Sequence, residues 1–466
     1  MCPVVVHRHL IQYPILTTMK LSKFIYFIIF LSISGCEGFL DTKPEKSLII
    51  PKTLDDFQAI LDAEPRLMNS ITKMGFLASD EIVMADPLVS LLTLDERAAY
   101  LWEGDFYTPD AAGVDWSVGY QRVFYANVVI EGIRDYKPTS PFEIQRASEL
   151  DAAARFHRAF GHFMIAAQFM GPYDPGNPTA PGIPIRNSAD LNAPSPRVTM
   201  KEALDFIRED LEFASGVLPD FPEIPTRASA WATEAMLSRV SLYMQDYEKA
   251  YLHSGNALEI KNELLDYNTL DSGLRFVFPR FNVEVIHHAH MITGRFYNSP
   301  QTYVNPELIN LYDSLDLRLL RLMAPSPLEG LYNLQGRYSG ESFLFGGLAT
   351  DEVVLDHAEA AARLGYEEEA LQDLNYLLKN RYLQGAFIQL DDLSGDSLIW
   401  RIAEERRKEL LYRGVRWLDM KRYFQDPAMA KINVRTYQNR EYRLEPNSSK
   451  YTFPIPPREV RLNDQL

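Results

Sequence analysis

Val353–Tyr382, VVLDHAEAAARLGYEEEALQDLNYLLKNRY, carries two helical patterns on either side of Gly365-Tyr366. Ala358, Ala361 and Ala362 precede the turn and Ala370 follows it. Side chains this small let two antiparallel helices approach closely, and glycine suits the backbone that ends the first of them. A second pair with the same plan lies at Ala228–Ile260, turning at Asp246-Tyr247 with Ala250 and Ala257 inside the later helix. Further upstream, Asp151–Met170 spaces Phe156, Ala159, Phe160, Phe163, Met164 and Ala167 helically and stops at Gly171-Pro172. Thr199 opens another helix as a capping box with Glu202. Its apolar face is Met200, Leu204, Ile207, Leu211, Ala214 and Leu218, and Pro219 ends it.

The helix pairs resemble the tetratricopeptide repeat, but they are too far apart in sequence for a continuous solenoid. The expected fold is mostly α, with about four tetratricopeptide-like pairs carrying long ordered loops and a few short strands. Three segments break the helical pattern. One spans Asp80–Tyr120 and holds Trp102, Phe106, Tyr107 and Trp116. Another is the proline-rich PYDPGNPTAPGIPI after Gly171. The third is an insertion at about 270–347, with short strands expected at Phe276–Phe278 and Val283–Ile286 and a glycine- and aromatic-rich loop at Gly330–Gly347. Long ordered loops on a rigid frame are where binding usually resides.

The N-terminal stretch MKLSKFIYFIIFLSISGC, Met19–Cys36, has a basic start, an apolar run too short to span a bilayer, and small residues before a cysteine. It reads as a lipoprotein signal, with residues 1–35 removed, Met19 the expected initiator and Cys36 the lipid attachment site. The remainder, 36–466, is expected to form one domain, with an N-terminal part 36–220 and a C-terminal part 221–466. With Cys36 lipidated and Cys2 removed, no thiol pair remains, so the core must stabilise the chain without disulfides. At 46% hydrophobic residues it can do so. A net charge of −16 argues against a nucleic-acid partner, which demands a basic face.

A set of motifs runs in order along the chain. Phe39-Leu40-Asp41 with Pro44 follows the cysteine, then Ser79-Asp80-Glu81, then Trp116, Tyr120 and Ala126-Asn127. Next come Arg155, Arg158-Ala159, Gly171-Pro172-Tyr173 and Pro184, followed by Asp210-Leu211-Glu212 with Ala214 and Leu218-Pro219. The C-terminal third adds Ala358-Glu359-Ala360, then Glu404, Arg406-Arg407, Glu409-Leu410, Gly414, Arg416-Trp417, Asp419 and Lys421-Arg422, and lastly Phe453-Pro454-Ile455-Pro456. Together they resemble the SusD/RagB family of outer-membrane nutrient-binding lipoproteins of Bacteroidetes. The resemblance implies a lipid-anchored protein on the cell surface, with a SusC-like TonB-dependent transporter as partner and an oligosaccharide or similar nutrient as ligand. It departs from the pattern at Gly161, inside a helix, and at Pro172, where an aromatic residue more often follows the glycine.

The polar clusters read as structural. Arg401–Arg422 alternates Arg and Glu at i,i+3 and i,i+4 spacing, as a solvated or interhelical face does. His288 and His290 share one face of an expected strand, but no third ligand stands at a fitting spacing, so no metal is expected. Asp80-Glu81 is an acidic pair in a chain with 63 acidic residues. No G-x-S-x-G, H-E-x-x-H or Walker loop is present, so no catalytic residue and no cofactor is expected. Sugars stack their C–H faces on flat rings. Trp116, Trp231, Trp400 and Trp417 fall in helical patterns and read as core. The loop residues Trp102, Tyr107, Tyr297, Tyr303, Tyr332 and Tyr338 are therefore the candidate ligand contacts. A lipid-anchored scaffold that holds a protein or peptide, without a sugar site, is the alternative on the same fold.

Overall fold

The computed structural model describes residues 51–64, 67–463 and 465–466, so Cys36, the signal and the Phe39-Leu40-Asp41 motif lie outside the described residues. Lys52–Leu466 forms one compact unit. Its scaffold is a stack of eight helices: Val114–Asp135, Pro141–Phe169, Met200–Ser215, Ala230–Tyr243, Tyr247–Ile260, Thr350–Leu364, Glu367–Lys379 and Gly395–Glu409. Each packs on the next in chain order. The helical hairpins read at Val353–Tyr382 and Ala228–Ile260 are both present. Helix Tyr247–Ile260 packs on Thr350–Leu364, so the insertion leaves the stack and returns to it without interrupting it.

Local chemistry sets the helix ends. Thr199 accepts from the amide of Glu202 at 3.2 Å, while the Glu202 carboxylate takes the Thr199 amide at 2.8 Å, the reciprocal cap expected. Gly365 ends Thr350–Leu364 in the left-handed region at φ 86°. Gly161 departs from the family pattern for a packing reason. A Cβ there would lie 3.0 Å from the carbonyl oxygen of Gly119, and a Cβ on Gly119 would clash with Ile165. The two longest helices touch backbone to backbone at this point.

The insertion is tied to the N-terminal loops by short ladders. Ser70–Ile71 pairs in parallel with His290–Met291, and Ile82–Met84 pairs antiparallel with Thr302–Val304. Val285–His287 pairs with Leu348–Ala349, whereas Phe276–Phe278 forms no strand. Asn305 reinforces the junction, its backbone amide donating to Glu81 O and its side chain to Asp80 O. The segment read as loop at Asp80–Tyr120 contains the helices Asp86–Val89 and Leu94–Leu101. Of the four tryptophans assigned to the core, Trp116, Trp231 and Trp417 are buried, but Trp400 is 42% exposed on the outer face of its helix.

The Arg- and Glu-rich stretch turns inward. Its helix ends at Glu409, five residues before Gly414, because the chain then turns to place Tyr412 beside Glu81, whose carboxylate accepts the Tyr412 amide at 2.9 Å. Glu405 and Glu409 face Arg318 at 2.6 and 3.1 Å, and Asp316 completes that group at 2.7 Å. Arg381 donates to Glu409 at 2.7 Å and to Glu284 of the insertion at 2.6 Å. Arg406 joins Asp419 and Asp356, and Arg422 joins Glu359. Burial works against the Arg381 charge, yet Glu284 and Glu409 more than reverse this and hold its pKa well above the usual value.

Removing one member of such a group leaves the others charged, buried and unpaired. Arg381→Ala is expected to lower the unfolding free energy by ~3–5 kcal/mol, measured by urea denaturation followed by circular dichroism. A loss below about 1 kcal/mol, the range of an exposed pair, would show that the network carries no such weight.

Candidate ligand-binding site

Thr93 and Glu96 form a capping box that starts helix Leu94–Leu101, with the Thr93 amide 3.1 Å from the Glu96 carboxylate. The helix runs into Trp102, which sits in the left-handed region at φ 54°. A bulky residue is rarely found there, and two contacts hold it. The indole N–H donates to Ala78 O at 2.9 Å, and the Arg435 guanidinium lies 4.4 Å from the ring. Arg435 belongs to the hairpin Asn433–Tyr437/Arg440–Leu444, whose turn residues Gln438 and Asn439 both have positive φ, at 50° and 60°, as a tight hairpin requires. One face of this hairpin anchors Trp102. Tyr442 stands directly opposite Arg435 in the ladder and so shares its face, half-buried against the core, with the exposed Arg440 guanidinium 4.9 Å from its ring.

Two open clefts result, meeting at Leu94. The first, about 610 Å³, is bordered by Arg97, Trp102, Glu103, Arg440, Tyr442 and Lys450. The second, about 470 Å³, lies over Asp95, Phe106, Tyr107, Val114, Ser117 and Gln121. The first offers rings with charged groups of both signs around them, and the second offers rings with Asp95 and neutral polar groups, which suits a polar ligand with apolar patches. Tyr107 is half-buried, and its hydroxyl has no hydrogen-bond partner among the described residues. Burial, and then Asp115 and Asp95, raise the pKa of that hydroxyl, so it stays protonated.

The expected contact residues divide. Trp102 is only 3% exposed, Tyr303 is buried in the ladder opposite Val83, and Tyr338 is buried with its hydroxyl donating to Glu284 at 2.7 Å under the Arg413 guanidinium. None of these three offers a free ring face, which corrects the reading of them as exposed loop aromatics. The cause is tertiary: each lies where a loop is pinned to another segment. Tyr107, Tyr297 and Tyr332 remain half-buried. Tyr107 lines a cleft. Tyr297 lies beneath the Arg337 guanidinium at 5.5 Å, and Tyr332 belongs to the hairpin Met323–Pro325/Tyr332–Leu334. Tyr442 and Arg440 were missed. Their available signal was the alternating strand REYRL after the Gln438-Asn439 turn, where exposed residues lead up to the buried Leu444.

Asp80 and Glu81 are not a catalytic pair. Both are buried, and Asp80 faces Arg416, Arg407 and Lys431 at 2.7, 3.0 and 2.9 Å. Burial would raise its pKa, but these three cations hold it well below the carboxylate range. Glu81 has no such partners. Burial, opposed by the Tyr412 amide and assisted by the Asp80 charge, pushes it up to about 8. His287, His288 and His290 are all buried.

An irregular stack of helix pairs and a wired-in insertion define a mostly helical scaffold with open surface clefts beside a capped loop. Residues 38–242 match the family model described as starch-binding associating with outer membrane, and residues 350–466 match that of the SusD family. The chain belongs to the SusD/RagB family, and like its members it is a binding protein and not an enzyme. It is similar to a SusD superfamily protein of Bacteroides fragilis, with 20% identity, a TM-score of 0.72, and coverage of 90% of this chain and 99% of that one. A SusD superfamily protein of Bacteroides thetaiotaomicron gives 20% identity and a TM-score of 0.71 over 89% and 98% of the two chains. A SusD-like carbohydrate binding protein of Bacteroides vulgatus gives 20% and 0.67 over the same shares. No curated protein matches the sequence.

The state of Glu81 has a measurable consequence. A carboxyl whose pKa rises from 4.5 unfolded to about 8 folded contributes stability below pH 4.5 that is lost as pH climbs toward about 8. Glu81→Gln keeps an acceptor for the Tyr412 amide and cannot ionise. Its unfolding free energy should therefore decline less than the wild type's between pH 4.5 and 8. Parallel pH profiles for the two proteins would refute a neutral Glu81.

Proposed function

We propose that this chain is a cell-surface lipoprotein, anchored to the outer membrane through Cys36, that captures an oligosaccharide and delivers it to a SusC-like TonB-dependent transporter. The observation that carries the ligand side is the pair of clefts flanking Trp102–Gly113, where Tyr442 and Tyr107 supply rings and Arg97, Arg440, Lys450 and Asp95 supply hydrogen bonds. Similarity to a carbohydrate binding protein of the same fold supports the reading. So does the match to a family described by starch binding at the outer membrane. No helix among the described residues is long and apolar enough to cross a membrane, which accords with attachment by lipid.

Tyr442 is half-buried and takes part in none of the buried ion pairs, so its removal disturbs the core less than removal of the enclosed Trp102. In a glycan panel followed by calorimetry, Tyr442→Ala should weaken the preferred oligosaccharide about tenfold, the effect of losing roughly 1.4 kcal/mol of stacking and packing. Binding of peptides alone would move the assignment to the scaffold reading. Gentle solubilisation of the native outer membrane, with the C-terminus tagged, should recover a stoichiometric β-barrel receptor. Its absence from an anchored protein would overturn the delivery role.

A further inference from the structure

His288 and His290 meet two carboxylates that the sequence keeps far from them. Their Nε2 atoms lie 3.0 Å apart, and His290 Nε2 is 2.7 Å from Glu341 Oε2. Ligand atoms of Glu64, His288 and His290 all fall within 4.8 Å of one another. The rings stand at 85° to each other, held by Phe281, Phe343 and Phe345, and Asn69 fixes the strand by donating to His288 O at 2.7 Å. Both histidines are buried, at 0% and 4% exposure, while the Glu64 and Glu341 side chains are about a fifth exposed and leave a path to solvent.

Protons alone serve this arrangement poorly. A hydrogen bond between two facing Nε2 atoms needs one of them protonated, and a single His290 Nε2–H must then serve both His288 and Glu341. Two imidazole nitrogens with the Glu64 carboxylate drawn up to them, and Glu341 against His290, are the donor types that a zinc-class cation binds. Tetrahedral ligation with Zn–N near 2.0–2.1 Å places two nitrogens about 3.3 Å apart, close to the separation found. The mixed nitrogen and oxygen set favours Zn²⁺ and its neighbours over Ca²⁺ or Mg²⁺, which take oxygen alone. In the structure Arg280 bridges the two carboxylates, donating to Glu64 Oε1 at 3.0 Å and to Glu341 Oε1. Its side chain is 42% exposed, so it can withdraw into solvent and yield both carboxylates to a cation.

We propose that Glu64, His288, His290 and Glu341 form a binding site for a Zn²⁺-class divalent cation. The cation clips three separate segments together: the chain after helix Leu54–Leu61, the insertion strand at His290, and the loop carrying Glu341. The Nδ1 atoms of both histidines have no hydrogen-bond partner among the described residues, so the supporting shell of a tight zinc site is missing. Micromolar affinity follows rather than nanomolar.

The test is calorimetric titration of the untagged, metal-stripped full chain with Zn²⁺, alongside the visible spectrum of the Co²⁺ form. One Zn²⁺ per chain should bind, with a four-coordinate Co²⁺ band. The double variant His288→Ala/His290→Ala should lose both signals, and Glu341→Gln should weaken binding about tenfold or more, since each tenfold is roughly 1.4 kcal/mol. Arg280→Ala should tighten binding, because the competing guanidinium is gone, and a merely misfolded variant cannot produce that result. The absence of saturable binding, equal binding by the double variant, or weaker binding by Arg280→Ala would each overturn the site.

Discussion

A set of guanidinium groups buried with their carboxylates constrains this molecule more than any other feature. Arg318 and Arg381 are fully enclosed, and their partners come from the insertion (Glu284, Asp316) and from the last scaffold helix (Glu405, Glu409). An unpaired charge in such a place costs several kcal/mol, so segments remote in sequence are held in one register. Burial of apolar area is tolerant of small slips, whereas bidentate ion pairs are not. The insertion is thereby locked to the helical stack.

That lock explains where the open surface lies. Each loop pinned to a second segment has lost its free rings: Trp102 under Arg435, Tyr338 under Arg413 and Tyr303 in its ladder. The pinned Trp102 instead borders one cleft, and the hairpin that pins it sets the half-buried Tyr442 in that same cleft. The rigid backing and the cleft-lining ring are consequences of the same hairpin. At the other side of the insertion, the strand pairing that aligns Ser70 with His290 also brings Glu64 toward the paired imidazoles.

Much of the scaffold was legible because its signals are local. Helical spacing from Phe156 to Ala167, the Thr199–Glu202 cap and the Gly365 turn depend on neighbours within one or two turns. The family motifs were legible for a related reason: Glu404–Arg422 and Asp80-Glu81 are kept together in sequence although they act as buried partners in space. The Thr93–Glu96 cap was equally local and went unread, so Leu94–Leu101 passed for loop. Exposure was the weak point. Trp400 sits at helical spacing and yet faces solvent, because periodicity marks a face without saying which neighbour covers it.

The sequence by itself determined the helix pairs, their turns and caps, and the family, since these rest on short-range geometry and on motif order. Only the tertiary structure decided which aromatic rings remain open, which charges are paired, and that Glu64 and Glu341 stand beside His288 and His290. Those outcomes depend on contacts between segments from tens to hundreds of positions apart. No local pattern records such contacts, because the side chains meet only where the insertion docks on the stack.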